Sequence, residues 1–129
     1  MEIPGVIAKF VRAASAADQE SAAACVTEGA VSELPAGRRL PTGRDGARAF
    51  AAQHSESEGR KPTVELEDAE QREGDRWLAS LHFVSREVAT GETLYEMNVG
   101  GIFKLEGGLV ACLRAFPSAA EGEQALAEQ

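Results

Sequence analysis

Residues 76–116 read RWLASLHFVSREVATGETLYEMNVGGIFKLEGGLVACLRAF, and this stretch decides the fold. Three runs rich in branched and aromatic residues, Arg76 to about Val88, Thr93 to Leu105 and Leu109 to Phe116, are separated by ATGE (89–92) and EGG (106–108). Short turns of that chemistry join antiparallel strands. Successive strand side chains point to opposite faces. Trp77, Ala79, Leu81 and Phe83 therefore oppose Leu78, Ser80, His82 and Val84, while Tyr95, Met97, Val99, Gly101 and Phe103 oppose Glu96, Asn98, Gly100, Ile102 and Lys104. Upstream, Val64 and Leu66 alternate with Glu65 and Glu67, and EGD at 73–75 turns the chain into Arg76. Four strands with such short connections predict a meander.

The N-terminal half follows a helical period. Pro4 suits a first turn, where its missing N–H costs nothing, and Val6, Ile7, Phe10, Val11 and Ala14 share one side of a helix reaching about Ala17. Asp18 is placed to cap a second helix to roughly Val26, with Ala22, Cys25 and Val26 on its apolar face. Residues 27–43 hold Gly29, Pro35, Gly37, Pro41 and Gly43, which predict turns and short extended pieces, a loop or pocket rim. Ala47, Phe50, Ala51 and His54 mark a third helix from Arg44, with His54 expected to be solvated or to meet the helix carboxyl end. The segment 117–129 is read as a frayed tail or marginal helix. Three helices covering one face of a bent sheet make an α+β domain over residues 1–129, with a cavity between the layers. The other sheet face is left apolar at Leu78 or Trp77 and Ile102, and a second subunit is the ordinary cover for such a face, so a homodimer is expected.

With 129 residues, 43% hydrophobic but only 5% aromatic, the chain fits one domain. Such a domain buries roughly two thirds of its unfolded surface. Its 21 acidic and 13 basic residues give a net charge of −8, with the arginines scattered, which disfavours nucleic acid as a partner. No apolar run approaches the roughly 20 residues of a membrane span, and no basic start precedes an apolar run. The expectation is a cytoplasmic protein without membrane contact. Cys25 and Cys112 form no CxxC pair and read as two small buried residues, a disulfide being the alternative. GxxxxGK[ST], a strand-borne GxGxxG and GxSxG are all missing, and the two histidines lack ligand spacing, so no cofactor and no metal is implied.

FVRAASAAD (10–18), AVSELPAG (30–37), TGRDGARAF (42–50) and GIFKLEGGLVACLRAF (101–116), in this order and spacing, resemble the NTF2-like superfamily, and within it the SnoaL-like branch, related to ketosteroid isomerases and polyketide cyclases. The resemblance implies a cystatin-like cone in which a strongly curved mixed sheet wraps around three N-terminal helices. It also implies frequent homodimers and an open end that admits a small, often hydrophobic ligand. The isomerase tyrosine, aspartate base and protonated aspartate map by this resemblance onto Phe10, Leu34 and Gly101, none of which holds a proton. The acid of the cyclases falls in RAFPS, with none before Glu121. The Asp, Arg, Asp set of the epoxide hydrolases finds only Asp18, Asp45, Asp68 and Asp75, at caps, first turns or loops.

Two functions follow as expectations. The first is binding of a small hydrophobic molecule in an apolar cone lined by Phe10, Leu34, Phe50, Met97, Gly101, Phe103, Leu113 and Arg114. The second is an isomerase, cyclase or dehydratase acting on a hydrophobic or polycyclic carbonyl compound, with His82 as base and Tyr95 or Arg114 stabilising negative oxygen. Imidazole exchanges protons near neutral pH and a phenol donates to a carbonyl. Parity alone leaves His82 facing either ligand or partner, Tyr95 either in the cavity or at its rim, and Arg114 either turned inward or paired with Glu96 on the outer face. A third class, a structural dimerisation module, predicts a cone filled by Phe10, Phe50, Phe103 and Met97.

Overall fold

The computed structural model describes residues 3–127 and opens on helix α1 (Gly5–Ser15), which starts directly after Pro4 and buries Ile7, Phe10, Val11, Ala13 and Ala14 at steps of three and four. Helix α2 (Gln19–Ala23) is capped as its sequence predicts. Asp18 Oδ1 accepts the Ser21 N–H at 3.1 Å, and Ser21 Oγ donates to Asp18 Oδ2 at 2.7 Å. The helix does not reach Val26, however. There the chain enters strand β1 (Val26–Leu34), which replaces the loop expected from residue 27 onward.

This strand is stabilised from a distance. It lies parallel to strand β6 (Leu109–Phe116), with Val31, Ser32 and Glu33 opposite Cys112, Leu113 and Arg114. The register slips between Val26 and Val31, so part of β1 bulges away from its neighbour. Past that bulge Ala30, Ser32 and Leu34 turn inward while Val31 and Glu33 turn outward. A short 3-10 turn (Pro35–Gly37) leads to strand β2 (Arg38–Arg39), which doubles back on Glu33 and Leu34. Gly43 closes the following loop at φ +81°, and a Cβ there would lie 2.4 Å from the Glu28 carbonyl oxygen, so only glycine fits.

Helix α3 (Arg44–Ala52) buries Gly46, Ala47, Phe50 and Ala51. Strands β3 (Arg60–Gln71), β4 (Arg76–Glu87) and β5 (Thr93–Glu106) then form the expected meander with β6. The sheet order is β2-β1-β6-β5-β4-β3, and only the β1–β6 pair is parallel. Register shifts at Leu66/Asp68, Ser85/Arg86 and Lys104/Leu105 bend the strands, as bulges do, and let the sheet curve around the helices. Phe10 stacks on Phe50 at 5.7 Å and meets Phe103 edge-on at 6.2 Å, joining α1, α3 and the sheet.

Lys61 ties two helix ends together. Its Nζ donates to the Ser15 carbonyl, at the last residue of α1, at 2.9 Å and to the His54 carbonyl, just past the end of α3, in a shorter contact. A cation there meets the negative ends of both helix dipoles. Beside it, Ser15 Oγ accepts the Val64 N–H at 3.0 Å and satisfies part of the β3 edge.

The C-terminal segment takes the helical of its two expected forms, and it packs on the sheet. Helix α4 (Ala119–Ala127) lies on the outer sheet face, where a Cβ on Gly122 would be 3.0 Å from Leu78 Cδ1. Leu78 and Ile102, expected to await a partner, are 8% and 3% exposed within the chain itself. The remainder of the expected tail, residues 128 and 129, lies outside the described residues.

Candidate functional site

The inner face divides into a packed floor and an open strip. Phe10, Leu34, Phe50, Phe103 and Leu113 are between 0% and 5% exposed, so almost no water-sized space lies against them. Gly101 is equally enclosed: a Cβ there would meet Leu81 Cδ1 at 3.3 Å, and Leu113 Cδ1 and Phe103 Cε2 both at 3.6 Å. The hollow expected at these six residues is occupied by their own side chains, because stacked phenyl rings fill the space between α1, α3 and the sheet. Toward the β4–β5 hairpin the packing loosens. Phe83 and Met97 face each other across the strands and are half-buried, and Tyr95, opposite Ser85, is 56% exposed. The Tyr95 hydroxyl contacts Met97 Sδ at 3.2 Å.

His82 and Tyr95 do not converge. His82 Nε2 lies 3.1 Å from Glu96 Oε2 on the outer face, whereas Tyr95 shares the inner face with Met97. The two-residue mechanism therefore lacks its geometry: alternation along β4 and β5 sends the two groups to opposite sides of one sheet. Arg114 also faces outward, with its guanidinium 5.3 Å from the centre of the Phe116 ring. Glu96, the partner expected for Arg114, is with His82 instead. Glu33 turns outward too, toward Arg39 at 3.7 Å. Asp18, Asp45, Asp68 and Asp75 are all exposed. Among the described residues, no three His, Cys, Asp or Glu side chains come together as a metal site.

His54 meets the carboxyl end of α3, the second of its two expected placements, and is not solvated. It is 2% exposed, its ring stacked 5.9 Å from Phe83 and edge-on to Phe50 at 5.2 Å. Its Nδ1 lies 3.0 Å from the Phe50 carbonyl oxygen. A carbonyl only accepts, so Nδ1 carries the proton and Nε2 the lone pair. Burial pushes the imidazole below its usual pKa, the Phe50 carbonyl counters this, and the nearby Lys61 charge lowers it further, so the ring is neutral at pH 7. The signal was in the sequence: His54 stands seven residues after Ala47, four after Phe50 and three after Ala51, on the face that α3 buries.

Two open grooves flank this region. One, of about 560 Å3, runs between α1 and the β3 edge past Ile3, Val11, Arg12, Val64 and Leu66. The other, of about 540 Å3, lies at the hairpin end between Glu56, Glu58, Arg60, Val88 and Leu94. Both cysteines are free thiols whose pKa is raised chiefly by burial: Cys25 is buried and Cys112 half-buried. Among the described residues no helix is long and apolar enough to cross a membrane.

The same architecture occurs in solved structures of distant sequence. A ketosteroid isomerase-like protein from Catenulispora acidiphila, solved with trimethylamine, is 12% identical at a TM-score of 0.72, covering 91% of this chain and 88% of its own. An LEH-like epoxide hydrolase from M. tuberculosis is 15% identical at 0.69, covering 97% and 89%. An uncharacterised cystatin-fold protein from Novosphingobium aromaticivorans is 19% identical at 0.68, covering 89% and 97%. At these identities the likeness is one of fold. No curated protein matches the chain. The SnoaL-like domain model matches residues 7–113, from α1 to the middle of β6, and with the cone-shaped packing of helices on a curved sheet this makes the chain a member of the SnoaL-like family.

Proposed function

We propose that this SnoaL-like domain binds a small hydrophobic molecule on the inner strip of Phe83, Met97 and Tyr95, above a floor formed by Phe10, Phe50, Phe103, Leu113, Leu34 and Gly101. The carrying observation is the contrast between that sealed floor and the half-buried apolar strip that continues from it. Apolar surface of this kind gains when a flat ligand removes it from water. Binding without proton transfer accounts for Phe10, Leu34 and Gly101 at the mapped isomerase positions and for the opposite facing of His82 and Tyr95. The trimethylamine held by the Catenulispora protein supports a small-ligand role for the fold.

The assembly belongs to the same proposal: a homodimer through the outer sheet face beyond α4, around Ser80, His82, Glu96, Asn98 and Arg114. So does a cytoplasmic location, which suits two unpaired thiols. Met97 reports on the strip directly. With indene as probe, its methyl resonance is expected to shift, and Met97→Lys is expected to remove the binding. An unmoved Met97 methyl at saturating indene refutes the assignment.

A further inference from the structure

A buried histidine on an apolar floor raises a question of hydrogen-bond supply. His54 Nδ1–H is committed to the Phe50 carbonyl, the fourth residue back along the chain. The ring is thereby pinned to the end of α3, and Nε2, on the far side of the imidazole, is turned away from that carbonyl. Nε2 has no hydrogen-bond partner among the described residues. The Lys61 ammonium cannot supply one, because it is directed at the Ser15 and His54 carbonyls.

Nor is Nε2 sealed away. Among the described residues, one side-chain nitrogen or oxygen is both closed to solvent and unpartnered, and it is Arg72 Nε. His54 Nε2 is not such an atom, so it is not wholly closed to solvent although the residue is only 2% exposed. An acceptor in apolar surroundings with so little exposure is poorly served by water. A ligand that supplies a donor gives it a hydrogen bond.

We infer that His54 is the polar anchor of the site, its Nε2 accepting a hydrogen bond from a flat, neutral, apolar molecule that carries an N–H or O–H donor. This rests on the ligand reading above and narrows it. The lone pair selects by chemistry: a carboxylate or a carbonyl-only compound has nothing to donate, and an anion would face the lone pair. The Phe83 ring, stacked on His54 and half-open to the strip, supplies the apolar surface next to the anchor. The depressed pKa of the imidazole agrees, since a histidine that stays neutral keeps its acceptor.

Indole and indene test this, being alike in shape but for one N–H. Wild-type protein is expected to bind indole about five- to tenfold more tightly than indene, the yield of one net hydrogen bond in a dry site. His54→Phe, which keeps a ring but no acceptor, is expected to erase that ratio. In wild-type protein the His54 15N resonance of Nε2 is expected to move with indole and not with indene, a measurement that stands even where His54→Phe fails to fold. Equal affinities, an unmoved Nε2, or a ratio that survives His54→Phe overturns the anchor. In each of those cases a Met97 methyl shifted by indene keeps the ligand reading. Failure of both probes to move Met97 overturns both.

Discussion

Replacing His54 with leucine is expected to change how stability depends on acidity. In the folded protein the imidazole is buried and its pKa lies below the ordinary 6.5, chiefly because burial penalises the charged ring. A depressed folded pKa means that the unfolded chain takes up the proton first as pH falls. The stability tied to a neutral His54 is therefore complete above about pH 6.5 and is lost as pH falls through the folded pKa. One proton bound only by the unfolded state gives a slope of about 1.4 kcal/mol per pH unit in that window. At pH 7.5 the variant loses the bond to Phe50, about 1 kcal/mol net, and two ring contacts of about 0.5–1.5 kcal/mol each. It should start roughly 2–4 kcal/mol less stable than wild type. The gap should then close by up to about 1.4 kcal/mol for each pH unit below 6.5, because leucine has no proton to take. Urea unfolding of both proteins from about pH 7.5 to pH 5 measures this, and the other titrating groups cancel in the difference. Parallel curves would refute the claim that His54 is buried and neutral.

Three further outcomes follow from the packing. Lys61→Met removes a cation that donates to carbonyls at the ends of two helices, so a loss of about 2–4 kcal/mol is expected in denaturant melts; a loss under about 0.5 kcal/mol would show that the tie is idle. Gly122→Leu has no room against Leu78 and Phe116, and faster hydrogen exchange confined to residues 119–127 is expected, with α1 and β5 still protected; unchanged exchange in α4 would contradict its packing. Gly43→Ala places a methyl on the Glu28 carbonyl at a positive φ, and a cost of about 2 kcal/mol or more is expected in thermal unfolding, whereas a neutral result would mean that the loop moves freely.

The meander was legible because each strand carries its own signal: branched residues in period two, closed by EGD, ATGE and EGG. Strand β1 was not, since VTEGAVSEL holds a glycine and an irregular register, and its partner β6 lies about eighty positions further along the chain. Helix α4 was read only as a marginal alternative, and its packing on the sheet stayed hidden, for another reason. AAEGEQALA has a weak apolar face interrupted by Gly122, and that glycine is what lets the helix approach Leu78. With the docking of α4 unseen, both faces of β4 read as partly apolar, and the side occupied by His82 could not be chosen from parity. For His54 the period was visible, but position at a helix end left water and the helix carbonyls as alternatives. The rings of Phe50 and Phe83, one on its own helix and one on β4, are what cover it.

The parallel pairing of β1 with β6 also constrains how the molecule comes together. Within the sheet, among the described residues, strand β6 is what joins β1 and β2 on one side to β5, β4 and β3 on the other. Until residues 109–116 are made, the first third of the chain has an orphan strand edge and the meander has its own, with nothing to zip between them. Such wide sequence separation slows assembly, and it obliges the two halves to wait for the keystone segment instead of maturing in order of synthesis.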